Sequence, residues 1–505
     1  MKKLILVITL LILSFISVYA QDSGRDLFNR AEKEFGKANF NKAYDLYFDA
    51  RKEFLKEGNS QGAKEALTRK LQTLRISYDY PYPKEKAEEY LAKTMGRFSA
   101  DERKSWLESG KADFMMIDGE PFYFSNLEKN LLCRDPRIMK RFKTARASQM
   151  IFFKKYNNLI FGKDAGVIPG KPYTNPVIFH AKCTGKIPKD KLPAEGTIRI
   201  WVPLPVATDA QDNIRIISVS PEKYLKGQPK TDGELGNLYM EIPVEEIKKD
   251  LKIDVDFEFR HFRQGFAIDP NKIGEYDRES DLYKRYTRSY KNTVVNDEIR
   301  QQAKAIVRAE VNPYLCAKKI YDYVVNYVDY SLMPHISLDV LGKPESLYVH
   351  KNKYGDCGSQ SVYFVSLCRA LGIPARTTGG WQLCPGHESM HFWAEFYLPD
   401  YGWVPADTSI AQTARTSQNV PEEKCRIFED YFFGSQDPYR FVIQKDVDVA
   451  PYPEPDEPLF LNMAIQFPAI LCDTSEEDLT AILADSWKVK FNSRLDRKNK
   501  KGGLK

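Results

Sequence analysis

One stretch of the chain, residues 354–376, decides the fold and reads YGDCGSQSVYFVSLCRALGIPAR. Apolar residues repeat at helical spacing from Ser361 to Leu371, and Gly372 ends the pattern, so the stretch predicts a helix. Cys357 lies at or just before the start of this helix. Free backbone N–H groups and the helix dipole at such a start favour a thiolate, lower the pKa of the thiol and can face a developing oxyanion.

A strand hairpin downstream supplies the two side chains that a thiol nucleophile requires. Residues 391–398 have a strand pattern, residues 399–402 form a turn, and the returning strand ends at Asp407. The hairpin brings His391 near Asp407, although the register of the two strands stays open. A thiol nucleophile needs a base to take its proton, and the base needs an orienting partner on its other ring nitrogen. Cys357, His391 and Asp407 are therefore the predicted catalytic residues.

Several short motifs around these residues resemble the transglutaminase-like superfamily. The sequence CRALGIPAR occupies residues 368–376, and His-x-Trp-x-Glu at 391–395 and Gly-Trp-x-x-x-Asp at 402–407 follow in the order and spacing of that family. The resemblance covers about residues 296–409. It implies a papain-like α+β core, acyl transfer through a cysteine thioester, and the same three catalytic residues.

Other residues near the motifs have two open interpretations. His387 is the nearest rival base, although its place in a loop before the strand favours a surface histidine. Asp356 is predicted to cap the helix that follows it. Four more residues are either a structural set or contacts to the substrate: Arg376, Glu395, Trp393 and Trp403.

The segment before the core alternates apolar and polar residues, most strictly between Leu251 and Phe259. Gly and Pro residues separate such runs from residue 177 to 262, which predicts an antiparallel β-sandwich with one solvated face per sheet. Exported bacterial members of the transglutaminase-like superfamily often carry such a sandwich before the core. Residues 274–292 are predicted to be a linker or a helical connection, and residues 433–440 resemble the strands that follow the core in such proteins.

The N-terminal region has helical periodicity. Apolar residues repeat every three or four positions on both sides of a turn at residues 36–40, as in a single tetratricopeptide unit. Such units need neighbours to bury their apolar faces, and no second clear copy follows. A helical cap that packs on the rest of the chain is therefore favoured over a partner-binding array, although a protein partner at these helices stays open.

The first twenty residues have the pattern of a secretory signal peptide. Lys2 and Lys3 precede an uncharged apolar run from Leu4 to Val18, and small residues precede a cleavage point after Ala20. The run is shorter than the about 18–20 apolar residues that a spanning helix needs, which disfavours an uncleaved membrane anchor. No later segment of the sequence is long and apolar enough to cross a bilayer. An exported protein, periplasmic or extracellular, is predicted.

Composition excludes several classes of protein. The chain has 505 residues and a net charge of +6, without the basic surplus of nucleic-acid-binding proteins. Its 43% hydrophobic content excludes a disordered chain. Eight cysteines are scattered without a disulfide framework or a metal-binding pair. The sequence has no phosphate loop, dinucleotide fingerprint or calcium loop, so we expect no cofactor and no metal.

Together these patterns predict an α+β multidomain protein. Its predicted segments are a signal peptide at 1–20, a helical region at 22–165, a β-sandwich at 175–265, a catalytic core at 290–415, a strand extension at 416–487 and a basic, solvated tail at 488–505. The predicted function is an exported cysteine enzyme that attacks a peptide or protein amide. Hydrolysis is favoured because no acidic pocket for a lysine ammonium is evident. The alternatives are a cross-linking transglutaminase and a non-catalytic peptide-binding module that keeps the fold.

Overall fold

The computed structural model describes residues 22–161, 166–417, 420–459 and 463–495. The predicted signal peptide at 1–20 lies outside these residues. The described chain divides into two units, of which the first contains residues 22–89 and 113–125 and the second contains residues 90–112 and those from 126 onward. N-terminal helices, antiparallel sheets in the middle of the chain and a mixed core follow in that order, so the predicted α+β class is confirmed.

The first unit consists of helices with one small sheet. Its helices are α1 (Gly24–Gly36), α2 (Phe40–Lys56) and α3 (Ser60–Asp79), and its strands are β1 (Tyr82–Pro83), β2 (Phe114–Ile117) and β3 (Glu120–Tyr123), in the sheet order β1-β3-β2. The helical periodicity is confirmed, because Ala31, Ala43 and Ala50 are fully buried in one cluster. The hairpin β2–β3 was not predicted. Its turn, Asp118-Gly119, has positive φ at both residues and is a typical signal for a two-residue hairpin.

Five helices come next in the chain. They are α4 (Lys84–Thr94), which spans the boundary, α5 (Ala100–Glu108), α6 (Leu127–Arg134), α7 (Pro136–Arg141) and α8 (Lys143–Ile160). Phe153, Tyr156 and Ile160 of α8 are buried in the same cluster as the helices of the predicted catalytic core. The predicted helical region at 22–165 is thus divided between two units, and its last helix is part of the core.

Antiparallel strands in the middle of the chain form two layers of a sandwich. They are β4 (Tyr173–Ile187), β5 (Thr197–Pro203), β6 (Gln211–Ser220), β7 (Asn237–Pro243) and β8 (Leu251–Gly265). Strand β8 pairs with β4 and β6, while β5 pairs with β7, and both layers contribute to one buried cluster. Leu251, Val255 and Phe259 are buried and the residues between the buried positions are not, which confirms the predicted alternation. Short 3-10 turns lie at Lys189–Lys191, Glu222–Tyr224, Val244–Glu246 and Pro270–Lys272.

The core begins after these strands. Its elements are α9 (Asp281–Thr287), α10 (Asp297–Val307), α11 (Pro313–Tyr327), β9 (Asp329–Tyr330), α12 (His335–Val340), α13 (Glu345–Asn352), β10 (Tyr354–Gly355), α14 (Cys357–Ala370), β11 (Ala375–Gln382), β12 (Ser389–Leu398) and β13 (Gly402–Ala406). The short strands β9 and β10 pair in parallel, and β11, β12 and β13 form an antiparallel sheet in sequence order. Helix α14 is buried over nearly its whole length and packs on β11 and β12.

The C-terminal part of the chain completes both sheets. Its elements are α15 (Thr408–Ala411), α16 (Thr413–Thr416), α17 (Glu422–Tyr431), β14 (Ser435–Gln436), β15 (Arg440–Gln444), β16 (Ala469–Leu471), α18 (Leu479–Ser486) and β17 (Lys488–Leu495). Strand β15 joins the core sheet beside β11, giving the order β13-β12-β11-β15. In the sandwich, β14 pairs with β8, β16 with β5 and β17 with β4.

Two segment predictions need correction here. Residues 488–495 are not a solvated tail, because Val489 and Phe491 pack on the sandwich between the lysines that made the segment look like a charged end. The sandwich therefore includes strands from far beyond residues 175–265, and the predicted strand extension at 416–487 also contains two helices, α17 and α18. Within the described residues, no helix is both long and apolar enough to cross a membrane.

Candidate active site

The helix of Cys357 begins at Cys357 itself, as predicted, although its apolar repeat begins only at Ser361. Asp356 is its N-cap, as predicted, and the Asp356 Oδ1 atom accepts a hydrogen bond from the Ser359 backbone N–H at 3.1 Å. A capping carboxylate satisfies one of the free N–H groups of the first turn and leaves the others available. The local sequence thus places the thiol at a helix start.

Cys357 is half-buried against a small apolar cluster. The cluster contains Val362, Phe392, Val447, Met463 and Ala464. Burial and the adjacent Asp356 carboxylate raise the pKa of the Cys357 thiol, although the backbone N–H groups of Phe392 and Gly358 act to lower it. The expectation of a lowered pKa at the helix start is therefore wrong for the protein without substrate, and a neutral thiol is the resting form.

His391 and Asp407 come together as the hairpin predicts. Strand β12 pairs with β13 so that Ala394 faces Ala406, and the His391 Nε2 atom donates to the Asp407 Oδ2 atom at 2.8 Å. Both side chains are buried, with Asp407 only 1% exposed. Because His391 Nε2 is hydrogen-bonded to Asp407, His391 Nδ1 is the ring nitrogen that remains to receive a proton from a thiol. The residue after His391, Phe392, presents its N–H group to the Cys357 sulfur, so β12 lies beside the nucleophile.

Asp407 is held in its ionised form. Its Oδ1 atom accepts from the Ile410 N–H at 3.1 Å, which caps the helix that follows. Although burial acts to raise it, His391 and Arg440 hold the pKa of Asp407 well below its usual range. Asp407 therefore acts as a hydrogen-bond acceptor that fixes the orientation and tautomer of the imidazole.

Arg440 continues the site beyond the three predicted residues. It is completely buried on β15, and its Nη1 atom donates to Asp407 Oδ2 at 2.8 Å. Its Nε and Nη2 atoms donate to Asp437 Oδ2 at 3.1 and 2.9 Å, and Nη2 also donates to the Tyr156 hydroxyl at 2.9 Å. The Tyr156 hydroxyl in turn donates to Asp437 at 2.6 Å. This set was not predicted from the sequence; the available signal was an Arg at the start of a mostly apolar strand, three residues after an Asp.

The charges of this buried set do not cancel. Asp407 and Asp437 are ionised and Arg440 is cationic, so the three side chains carry one net negative charge when His391 is neutral. A buried excess charge is costly unless a partner compensates for it. A protonated His391 supplies that partner. The arrangement is therefore electrostatically complementary to a protonated His391.

The residues for which the sequence allowed either a structural role or contact with the substrate make structural contacts. Arg376 and Glu395 pair directly across β11 and β12, with 2.7 Å between Arg376 Nε and Glu395 Oε2, and both are buried. The Arg376 guanidinium also stacks over the Trp403 ring at 4.0 Å. Trp393 is completely buried, as expected of a core aromatic. His387 lies in the turn before β12, where its ring makes an edge contact with Phe152.

The described residues contain no group of three or more His, Cys, Asp or Glu side chains placed to hold a metal ion. All eight cysteines lie within the described ranges and are free thiols, and five of them are buried. The site thus consists of a half-buried thiol, an imidazole, and the buried set of Asp407, Arg440, Asp437 and Tyr156.

Three comparisons bear on this part of the chain. Residues 300–408 match the family model of the Transglutaminase-like superfamily, so the predicted resemblance is confirmed for the core. A protein of unassigned function from Haemophilus influenzae is 24% identical over 298 residues, which cover 52% of this chain and 78% of that protein.

Two solved structures are also similar to the chain. A candidate cysteine protease from Cytophaga hutchinsonii has 13% identity and a TM-score of 0.40, and the match covers 64% of this chain and 91% of that one. The periplasmic domain of TgpA from Pseudomonas aeruginosa has 14% identity and a TM-score of 0.23, covering 50% and 97%. Similarity at these scores bears on neither the activity nor the substrate of this chain.

Proposed function

We propose that the transglutaminase-like core of this chain is a cysteine acyl-transfer enzyme with Cys357, His391 and Asp407 as its catalytic residues. The observation that carries the proposal is the buried line of hydrogen bonds from His391 through Asp407 to Arg440. Its net negative charge stabilises the imidazolium that is produced when His391 takes a proton from the thiol during the reaction. Binding of a peptide without chemistry would not require this charge.

The reaction proceeds in two stages. The Cys357 sulfur attacks the carbonyl carbon of an amide while His391 Nδ1 takes the thiol proton. Backbone N–H groups at the start of α14 face the oxyanion of the tetrahedral intermediate. The intermediate expels the amine, which receives the proton from His391, and a thioester remains. Water, activated by the now neutral His391, then hydrolyses the thioester and releases the acid.

Hydrolysis is the outcome that the surroundings of Cys357 support. A cross-linking enzyme must hold the amine or exclude water, because water is present at about 55 M. The side chains packed with Cys357 are apolar. The two carboxylates that act on its thiol, Asp356 and Asp407, already have cationic partners in His335 and Arg440, respectively. Neither carboxylate is therefore free to bind a lysine ammonium.

The test measures both products of the thioester. The full chain is incubated with a mixture of peptide amides and rising concentrations of a primary amine, and free acid and amine conjugate are quantified by mass spectrometry. We expect free acid to dominate at millimolar amine. Cys357→Ala should lose both products, whereas Cys472→Ala, which removes another partly exposed thiol, should lose neither. Dominant conjugate would replace hydrolysis with cross-linking, and products that persist in Cys357→Ala would overturn the enzymatic proposal.

We also propose that the chain is exported, on the strength of the signal-peptide pattern at residues 1–20. N-terminal sequencing of the mature protein from an expressing bacterium should then give Gln21 as the first residue. Recovery of the intact N-terminus would contradict this proposal without affecting the catalytic one.

A further inference from the structure

A second histidine lies next to the nucleophile helix, outside the three catalytic residues. His335 is the first residue of α12, and its ring lies between two buried carboxylates. Its Nδ1 atom is 2.7 Å from Glu345 Oε1, and its Nε2 atom is 2.6 Å from Asp356 Oδ2. Glu345 is 2% exposed and Asp356 is 8% exposed.

This geometry determines the charge of the ring. An ionised carboxylate only accepts hydrogen bonds, so both ring nitrogens of His335 must donate and the ring must be an imidazolium. Although burial acts to lower it, Asp356 and Glu345 raise the pKa of His335 well above its ordinary value. The cluster of His335, Glu345 and Asp356 therefore contains one cation and two anions.

The cluster encloses the first turn of the nucleophile helix. Asp356 precedes Cys357 in the chain and caps α14 through the Ser359 N–H. The Ser359 hydroxyl donates to Glu345 Oε2 at 2.7 Å, which closes a ring of hydrogen bonds through Glu345, His335, Asp356 and Ser359. The position of Cys357 is thus fixed by its neighbours on both sides.

The cluster also sets the charge that the thiol experiences. The Asp356 carboxylate raises the pKa of Cys357, and Asp407 does so to a smaller extent. Tyr330, opposite Gly355 in the β9–β10 pair, also interacts with the thiol. Of the two carboxylates, Asp356 has the larger effect and is the one hydrogen-bonded to His335, so the imidazolium offsets that negative charge.

We propose that His335 is a positioning residue for the nucleophile, which as a permanent imidazolium holds the Asp356 cap in place and compensates its charge beside Cys357. The inference rests on the proposed role of Cys357. The proposed role of His335 does not depend on which amide the enzyme attacks. His335 touches no reacting atom, so its effect should be seen in the reactivity of the thiol itself.

Two substitutions in the cluster should act in opposite directions. His335→Gln removes the cation and leaves two carboxylates beside the thiol. Glu345→Gln removes one anion while its amide can still accept from His335 and donate to Ser359. The matched control is His180→Gln, which removes a histidine–carboxylate pair with Asp256 on the sandwich.

The measurement is the rate of iodoacetamide alkylation of Cys357 in the full chain between pH 6 and pH 10, followed by mass spectrometry. At pH 8 we expect a decrease of about tenfold in His335→Gln, since one pKa unit changes the thiolate fraction tenfold. Glu345→Gln should increase the rate, and His180→Gln should match the unsubstituted chain. A change that only loosened the fold would move both cluster variants in the same direction.

Each possible result of the alkylation experiment either supports or refutes the role of His335. Rates in both cluster variants within twofold of the unsubstituted chain, or shifts in the same direction, would refute the role of His335 while leaving the proposed function in place. If Cys357 of the unsubstituted chain does not react with iodoacetamide at all, both proposals fail. If His335→Gln does not fold, the increase in Glu345→Gln still has to be observed.

Discussion

Replacing Asp437 by asparagine should slow the proposed acyl transfer while leaving the three proposed catalytic residues unchanged. In the native protein Asp407, Arg440 and Asp437 carry one net negative charge, which complements a protonated His391. The substitution removes Asp437's charge, so the remaining pair of Asp407 and Arg440 is neutral. The imidazolium that forms during attack on the substrate then has no net counter-charge in a region closed to water.

The size of the effect follows from Coulomb's law. Three hydrogen bonds, the Arg440 guanidinium and the Asp407 carboxylate separate the Asp437 carboxylate from the imidazole. Over roughly 8 Å at an effective dielectric constant of about 20, the lost interaction is about 2 kcal/mol. That energy corresponds to a decrease of about 30-fold in the acylation rate. Because Arg440 keeps its bond to Asp407, the free energy of unfolding should fall by only about 1–3 kcal/mol, and the variant should remain folded.

The assay is the burst of p-nitrophenol released from p-nitrophenyl acetate, with acetyl-Cys357 identified by mass spectrometry. Asp212→Asn is the matched control, because Asp212 also binds an arginine, Arg260, through two hydrogen bonds of 2.7 Å, but on the sandwich. Its acylation rate should be unchanged. A folded Asp437→Asn protein that reacts within twofold of the native rate would refute the charge argument, as would an equal loss in Asp212→Asn.

Three further predictions concern the fold and the thiol. A Cβ atom at Gly380 would lie 1.8 Å from the Phe441 carbonyl oxygen. Gly380→Ala should therefore lower the free energy of unfolding, measured in urea, by about 1–3 kcal/mol. Gly233→Ala should not lower it, because a Cβ atom there would meet no close neighbour. Truncation after residue 487 removes β17 and should cause aggregation, measured by light scattering, whereas truncation after residue 495 should not. Because the pKa of the Cys357 thiol is raised, its alkylation rate should keep rising above pH 9; a plateau near neutral pH would contradict that direction.

The parts of the fold that the sequence predicts correctly are those with strong local patterns. The strict alternation of Leu251 to Phe259 predicts a strand with one buried face, and the structure has it. The contact between His391 and Asp407 is also local, because one short turn joins the two strands and leaves few registers that keep their apolar residues buried. The helix of Cys357 is predicted from its apolar face, and its start at Cys357 is confirmed.

The residues that sequence analysis missed come from pairings between distant segments. Arg440 reaches Asp407 because β15 pairs with β11 in the core sheet. The two strands are not neighbours in the chain, since β12, β13 and β14 lie between them. Tyr156 reaches the same set from a helix that lies before the sandwich. Local periodicity carries no information on such pairings. Strand β17 was missed for another reason, since lysines alternate with its apolar residues and hide its buried face.

In the proposed mechanism, the raised pKa of Cys357 accounts for the arrangement of the three proposed catalytic residues around the imidazole. A helix start stabilises a thiolate through its N–H groups, but here the residue that caps the helix is itself an anion adjacent to the sulfur. Burial adds to the cost of a thiolate, and the two effects exceed the stabilisation by the N–H groups of Phe392 and Gly358. The resting thiol is therefore neutral. Proton transfer must then accompany attack on the substrate, and the group whose charge changes in a buried place is His391. The excess negative charge of Asp407, Arg440 and Asp437 is located at that group, where it lowers the barrier to proton transfer instead of stabilising a thiolate in advance.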